Sequence, residues 1–354
     1  MTSNSIPKNI LYLGNNNFKK HKRGVENVIL FQSKSNIAGN CYYIFWDNIT
    51  SVSHYENILC ISIKKNIFWP IILNLVLLKL KFRKNKILIH SHNPLMTLFS
   101  FFKTNLFSVH DPLHYLAKSN LYKFPLFYRI IEMIVYRRTV NVHFISKYSK
   151  SVSLLPNKKP NKVIYNTSFL ESRINFPIDL SFNSNQNLNI LVVRSIEERA
   201  RIDLIIEIAK YLKNTEIFFT IVGTGPLYNH YNEYIKENRL NNIKMIGYVN
   251  DINLIHHYKS CDLVLVPAEY GEGFGLPIIE GYLFNKPVIA SNKCAIPEII
   301  FSLNNLFENN PESVINKIYE IKQQTELNFR DYYLNNFSNK IILQQLDSLY
   351  NNIY

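Results

Sequence analysis

At 354 residues, with 47% hydrophobic and 19% charged side chains, the chain is too long for one ordinary domain and too apolar for a disordered or fibrous protein. Its four cysteines, Cys41, Cys60, Cys261 and Cys294, form no Cys-x-x-Cys pair and have no histidine at ligand spacing, which argues against structural zinc and for a reducing compartment. The net charge of +14 is unevenly spread: residues 1–170 hold 24 Lys and Arg against 5 Asp and Glu (+19), residues 171–354 hold 16 against 21 (−5), and the first half is expected to meet an anionic membrane surface or polyanion.

Residues 1–9 are polar and lack an apolar run behind a charged start, so no secretory signal is expected and the cytoplasm is the expected compartment. Short apolar runs then alternate with longer helical patterns, the signature of parallel strands joined by crossover helices. In the first half the strand candidates are 10–13, 41–46, 58–61, 87–90, 106–109 and 142–146. Between the third and fourth lies the apolar run 67–78, bounded by Lys64 and Lys65 on one side and by Lys79, Lys81, Arg83, Lys84 and Lys86 on the other. Broken by Pro70 and Asn74, it is too short to span a hydrocarbon core that needs ~20 residues. It reads either as a buried helix with solvated ends or as an apolar face lying among lipid headgroups, held there by the flanking cations.

Residues 171–186 are polar, contain Pro177 and show neither period, so they read as a linker between domains at 1–170 and 187–335. The second half offers strands at 188–193, 216–222, 243–246, 263–266 and 287–290, and both halves read as doubly wound α/β domains. In the closing segment, 336–354, a helix puts Ile342, Leu346, Leu349 and Tyr350 on one stripe; it needs a surface to pack on, which the first domain can supply. Seven of the ten glycines fall between Gly223 and Gly281, all after expected strands or at expected helix starts. That is where an open parallel sheet brings its backbone close to a ligand.

The chemistry concentrates in the stretch from Glu272 to Glu280, which follows the strand at 263–266. Pro277 marks a helix start, so the backbone N–H groups of Gly273, Phe274, Gly275 and Leu276 are expected at a helix N-terminus, where an anion is favoured. Glu272 and Glu280 bracket that position and can accept hydrogen bonds from sugar or ribose hydroxyls, although paired carboxylates near a helix start also serve as caps. Arg194 closes the strand at 188–193 and can bring a cation to the same edge, with Arg199 and Arg201 just beyond. No Asp-x-Asp pair occurs in the chain, so a diphosphate bound here would be neutralised by arginine and helix dipole rather than by a metal ion.

These residues resemble the retaining glycosyltransferases of family 4, whose GT-B fold sets two doubly wound Rossmann-like domains face to face across a cleft. The resemblance is strongest over 186–300. It rests there on Val222-Gly223-Thr224-Gly225-Pro226-Leu227, Gly247-Tyr248-Val249, Glu272 to Glu280, and Lys286-Pro287-Val288-Ile289-Ala290-Ser291 running to Ile296-Pro297-Glu298. In the first half it is looser, through Gly24-Val25-Glu26, His90-Ser91-His92, Ser108-Val109-His110-Asp111, Ser146 and Val163-Ile164-Tyr165-Asn166.

The resemblance implies that Glu272 holds the donor sugar, that Glu280 bonds the ribose, and that the amides of Phe274 to Leu276 bind the diphosphate with Arg194. It further implies that Gly24 opens the loop facing that group, that the backbone near Val249 meets the base, and that His110 is the active-site histidine. Two departures stand out. The family's Lys-Gly after its arginine is replaced by Glu198-Arg199-Ala200-Arg201, which leaves open whether Arg199 or Arg201 is the second diphosphate cation, and its paired glycines in the first loop are reduced to Arg23-Gly24.

The expected activity is transfer of a sugar from a nucleotide-diphosphate donor to a saccharide or lipid-linked acceptor, as in bacterial surface polysaccharide synthesis. No cofactor or metal is expected. The first domain would take the acceptor and dock on the cytoplasmic face of an anionic inner membrane. A GT-B epimerase or hydrolase and a catalytically silent membrane-bound scaffold are the alternatives. Nucleic acid is not an expected partner, because the 23 Tyr and 23 Phe are spread along apolar runs as core residues are.

Overall fold

The computed structural model describes residues 8–18, 24–83, 86–113, 125–174, 187–322 and 328–353. The chain divides into two compact units, one of Met1–Phe169 with Lys340–Tyr354 and one of Leu170–Asn339. Of the stretch read as a linker, 175–186 lies outside the described residues, whereas Glu171–Arg173 forms a short 3-10 turn. The Glu171 carboxylate there accepts hydrogen bonds from Tyr333 Oη at 2.8 Å and the Asn339 amide at 2.7 Å.

The first unit is built on eight strands: β1 (Lys8–Leu13), β2 (Ala38–Asp47), β3 (Ser51–Tyr55), β4 (Ile58–Lys64), β5 (Ile87–Ser91), β6 (Thr104–Val109), β7 (Thr139–Phe144) and β8 (Asn161–Val163). Their order across the sheet is β3-β4-β2-β1-β5-β6-β7-β8, parallel except for β3, which runs antiparallel to β4. Side chains alternate between faces along each strand, and both faces are covered. One face packs Leu11, Leu13, Ile44, Ile63 and Ile89 against Leu73 and Leu77 of the helix Trp69–Arg83. The other packs Ile10, Tyr12, Tyr43 and Leu88 against Leu346 and Tyr350 of the C-terminal helix Asn339–Ile353. The helix presents Ile342, Leu346 and Tyr350 at intervals of one turn, and each buried side chain of that size contributes roughly 1.5–3 kcal/mol.

The apolar run at 67–78 is buried on one stripe, as a helix with solvated ends would be, and exposed on another. Leu73, Asn74 and Leu77 are the buried residues of the helix Trp69–Arg83, while Ile71, Leu75 and Phe82 remain exposed on another stripe. Pro70 does not break the helix, because it occupies the first turn, where no intrahelical N–H is needed. Asn74 donates to the Pro70 and Phe99 carbonyls and accepts from the Phe101 amide, which ties the helix to the segment after the helix Pro94–Phe99. Among the described residues no helix is long and apolar enough to cross a membrane.

The second unit holds six parallel strands: β9 (Leu188–Val193), β10 (Ile217–Val222), β11 (Ile243–Gly247), β12 (Leu263–Val266), β13 (Val288–Ser291) and β14 (Leu306–Phe307). Their order, β11-β10-β9-β12-β13-β14, reverses direction between β9 and β12. In a doubly wound sheet ligands bind beyond the carboxyl ends of the strands flanking such a reversal, because the loops there diverge to opposite faces and leave a crevice.

Candidate active site

The loops after β9 and β10 touch backbone to backbone. Arg194 donates its amide to the Val222 carbonyl at 3.0 Å, and Ile196 to the Thr224 carbonyl at 3.0 Å. No Cβ fits between them: one added at Gly223, which holds φ at +140°, would lie 1.8 Å from the Arg194 carbonyl oxygen, and one at Gly225 would lie 2.3 Å from that of Ile196. The glycines of Val222-Gly223-Thr224-Gly225 thus fix how closely the Arg194 loop sits against its neighbour.

Across the reversal, the chain leaving β12 runs through Glu269, Gly271 and Glu272 into the helix Leu276–Leu283. That helix begins at Gly275 in the left-handed region (φ +97°), carries Pro277 in its first turn and has no side-chain cap. Of its first three residues Pro277 has no N–H and Ile278 donates to the Gly275 carbonyl at 3.0 Å, so the Leu276 amide is the one left at the positive end of the helix dipole without a carbonyl of a preceding turn.

Arg194 reaches this loop and forms an ion pair with Glu272, with side chains only 7% and 14% exposed. The Arg194 Nε is buried and has no hydrogen-bond partner. The Glu272 carbonyl in turn accepts the Ala295 amide, which anchors the loop to the segment after β13. Arg199 donates to the Gly271 carbonyl at 2.6 Å, and its own carbonyl accepts the Glu269 amide at 2.9 Å. Arg199 also pairs with the Glu197 carboxylate at 3.4 Å, and Arg201 pairs with Glu269 at 2.6 Å and with Asp203. Burial would raise the Glu269 carboxyl, but hydrogen bonds from Arg201 and Asn309 outweigh it and hold the group below the usual range.

Glu280, one turn into the helix, is buried and accepts a hydrogen bond from Tyr258 Oη at 2.7 Å. Burial pushes its carboxyl up to about 7, partly offset by that hydrogen bond. Gly273 and Phe274 are buried in the same loop, and Phe274 lies edge-on to Phe337. Val249 is half-buried on the loop after β11, whose last residue, Gly247, accepts the Gly223 amide. Arg194 and Arg199 thus reach Glu272 and the Gly271 carbonyl at one edge of this sheet, in the loop that leads into Gly275 and Leu276. Arg201 is engaged by carboxylates beside it.

Gly24 and His110 belong to the first unit. Gly24 is exposed and opens the helix Gly24–Gln32; the residues before it, 19–23, lie outside the described residues. His110 follows β6, is half-buried, and lines a cavity of about 160 Å³ together with His92, Asn15, Asp111 and Glu132. His110 Nε2 lies 2.9 Å from His92 Nδ1, and His92 Nε2 lies 3.0 Å from Gln32 Oε1. Burial holds His110 down at about 3, with the nearby His143 lowering it further, and holds His92 well below the usual range, so both rings are neutral. Sequence reasoning did not single out Gln32, Tyr258 or Glu269 as neighbours of these groups. The placement of a histidine pair at the ends of β5 and β6, adjacent parallel strands, was the available signal for His92.

Residues 176–336 match the family model described as "Glycosyl transferases group 1". An uncharacterized glycosyltransferase of Methanocaldococcus jannaschii is 27% identical over 186 residues, 52% of this chain and 50% of that protein. An uncharacterized protein in the cps region of Klebsiella pneumoniae is 26% identical over 57% of this chain and 56% of its own. The O-antigen biosynthesis glycosyltransferase WclY of Escherichia coli is 24% identical over 45% of each. The chain thus spans about half the length of the curated relatives it matches.

Among solved structures, sucrose-phosphate synthase from Thermosynechococcus elongatus superposes with a TM-score of 0.78 at 15% identity, covering 98% of this chain and 99% of that one. Anabaena HepE in complex with UDP and glucose gives 0.74 at 18% identity, covering 97% and 99%. At such identities the likeness speaks to fold, and the fold is that of the GT-B glycosyltransferases: two Rossmann-like sheets in one chain. Residues 176–336 thus match the glycosyl transferases group 1 model within a chain of GT-B fold.

Proposed function

We propose that the protein is a retaining glycosyltransferase of family 4, moving a hexosyl group from a nucleotide-diphosphate sugar to a saccharide or lipid-linked acceptor in bacterial surface polysaccharide synthesis. The observation that carries the reading is the placement of the Arg194 guanidinium, paired with Glu272, beside the uncapped start of the helix Leu276–Leu283. Two kinds of fixed positive charge, a guanidinium fork and a helix end, suit two linked phosphates. The group 1 match over this region, the O-antigen biosynthesis role of the Escherichia coli relative and the UDP bound to the Anabaena neighbour support it.

In this reading the bond between the sugar's anomeric carbon and the diphosphate oxygen breaks through an oxocarbenium-like state. The acceptor oxygen bonds the same carbon from the same face, and the acceptor's proton passes to the departing phosphate oxygen. Negative charge grows on the diphosphate as the bond breaks, so Arg194 and the amides of Phe274 to Leu276 act on the barrier more than on ground-state binding. Arg199, which reaches the Gly271 carbonyl next to Glu272, is the better-placed second cation, although it pairs with Glu197 as Arg201 pairs with Glu269 and Asp203. Glu272 holds the donor sugar, Glu280 accepts from the ribose hydroxyls, Val249 lies near the base, and Gly24 and His110 are the candidate site residues of the first domain. Charge neutralisation by arginine and helix dipole makes a metal ion unnecessary.

The first domain would dock on the cytoplasmic face of an anionic inner membrane and receive the acceptor there. Ile71, Leu75, Leu78 and Phe82 form an exposed stripe at helical spacing, and Phe82 is 84% exposed. Lys79, Lys81 and Arg83 flank that stripe, the arrangement by which an interfacial helix combines apolar burial with attraction to anionic headgroups. The direct test is product analysis with a labelled nucleotide-sugar donor: a glycoside with the donor's anomeric configuration is expected, and free sugar or an epimerised nucleotide sugar would replace this reading.

A further inference from the structure

Four histidines of the first unit, His90, His92, His110 and His143, join two hydrogen-bonded strings whose proton positions follow from their ends. One string ends on a backbone carbonyl: His143 Nε2 lies 2.9 Å from the Ile164 oxygen, which can only accept, so that nitrogen carries the proton. His143 is neutral, since burial holds it down at about 4 despite the Ile164 hydrogen bond, and its Nδ1 therefore accepts from Ser108 Oγ at 2.7 Å. Ser108 Oγ then accepts from His90 Nε2 at 2.7 Å, and His90 Nδ1 accepts from Tyr350 Oη at 2.8 Å. Each imidazole in this string carries its proton on Nε2.

The second string ends on Gln32, the last residue of the helix Gly24–Gln32 and buried. Its Oε1 faces His92 Nε2, and an amide oxygen accepts, so His92 is protonated on Nε2 and bare on Nδ1. That bare nitrogen faces His110 Nε2 at 2.9 Å. Two neutral imidazoles sharing one contact need one donor, so His110 carries its single proton on Nε2. Its Nδ1 is left with a lone pair and has no partner among the described residues, on a ring that lines the 160 Å³ cavity.

We infer that Gln32 and His92 are positioning residues that hold His110 in its Nε2–H tautomer, so that His110 Nδ1 is an obligatory acceptor for a hydroxyl of a sugar bound in the cavity. The sugar rests on the transferase reading; the tautomer does not. A ring fixed in this way discriminates by chemistry: it welcomes a hydroxyl, which can donate, and disfavours fluorine or a methoxy oxygen at the same position, which cannot. Leaving this half-buried acceptor without a donor inside the occupied cavity is the source of the discrimination.

The test is a long-range proton–nitrogen correlation spectrum of the histidine side chains in the full-length 15N-labelled protein, without substrate. All four rings are expected as Nε2–H tautomers. In Gln32→Met, which keeps the bulk and removes the accepting oxygen, His92 and His110 are expected to populate both tautomers while His90 and His143 stay as they were and report an intact fold. With nucleotide-sugar donor, kcat/KM of Gln32→Met should fall about tenfold, with less discrimination against deoxyfluoro donors. An Nδ1–H signal on His110 in the wild type would overturn the inference, whether or not the variant folds. So would a His110 tautomer unmoved by Gln32→Met. Failure of every donor to turn over would instead sink the transferase reading, with the spectrum still deciding the tautomer.

Discussion

Glu280→Gln isolates one buried carboxyl. In the folded protein burial raises this group from 4.5 to about 7, so the native state keeps a proton that the unfolded chain has already lost. Below about pH 4.5 both states are protonated and the group leaves stability unaffected; as pH rises towards 7 the unfolded state ionises first and stability falls. The rise from 4.5 to about 7, at 1.36 kcal/mol per pH unit, amounts to ~3 kcal/mol lost by pH 8. Glutamine keeps an oxygen for Tyr258 Oη and cannot ionise, so the variant should match the wild type near pH 5 and exceed it at pH 8, by roughly 6–10 °C in Tm. Differential scanning calorimetry of both proteins from pH 5 to 8 reads this directly. A Tm difference that is the same at both ends of the range would refute the reasoning.

Arg194→Ala and Glu272→Ala should each lower turnover at least tenfold and, where the lost contact forms only in the transition state, by ~3 kcal/mol of barrier; near-normal rates in folded protein would remove these residues from the proposed roles. Gly225→Val should destabilise the second unit or block its folding, because its Cβ would have to share space with the Ile196 carbonyl oxygen 2.3 Å away; a well-folded, fully active variant would show that these two loops are not held in contact. Liposome flotation should show binding that needs anionic lipid, weakens with salt and falls several-fold in Phe82→Ser with Leu75→Ser; binding indifferent to lipid charge would count against docking.

Most strands of both sheets were legible because a strand covered on both faces reads as an unbroken apolar run. The three missed strands, β3, β8 and β14, are short and peripheral. β3, for instance, is almost wholly exposed, so its sequence Ser51-Val-Ser-His-Tyr55 carries no burial period. The expected strand at 142–146 begins instead at Thr139 and stops at Phe144, since Ser146 leaves the sheet to cap the helix Lys147–Ser151 through its hydroxyl. Within the candidate site, the proximity of Arg194 to Glu272 depends on β9 and β12 being neighbours, a fact of strand order that no local pattern encodes. The different surroundings of Arg199 and Arg201 follow from a left-handed residue at Arg201, φ +50°, which local sequence does not announce. Tyr258 reaches Glu280 from a separate helix, Asp251–Ser260, and was likewise invisible.

The central claim is that a guanidinium and an uncapped helix start together bind a nucleoside diphosphate without a metal ion. Titration calorimetry of chelator-treated protein with UDP, GDP and ADP tests it most directly. Heat of binding with at least one of them, undiminished by the chelator and lost or weakened at least tenfold in Arg194→Ala, is the expected result. Heat that appears only after magnesium is restored, or that survives Arg194→Ala unchanged, would contradict it.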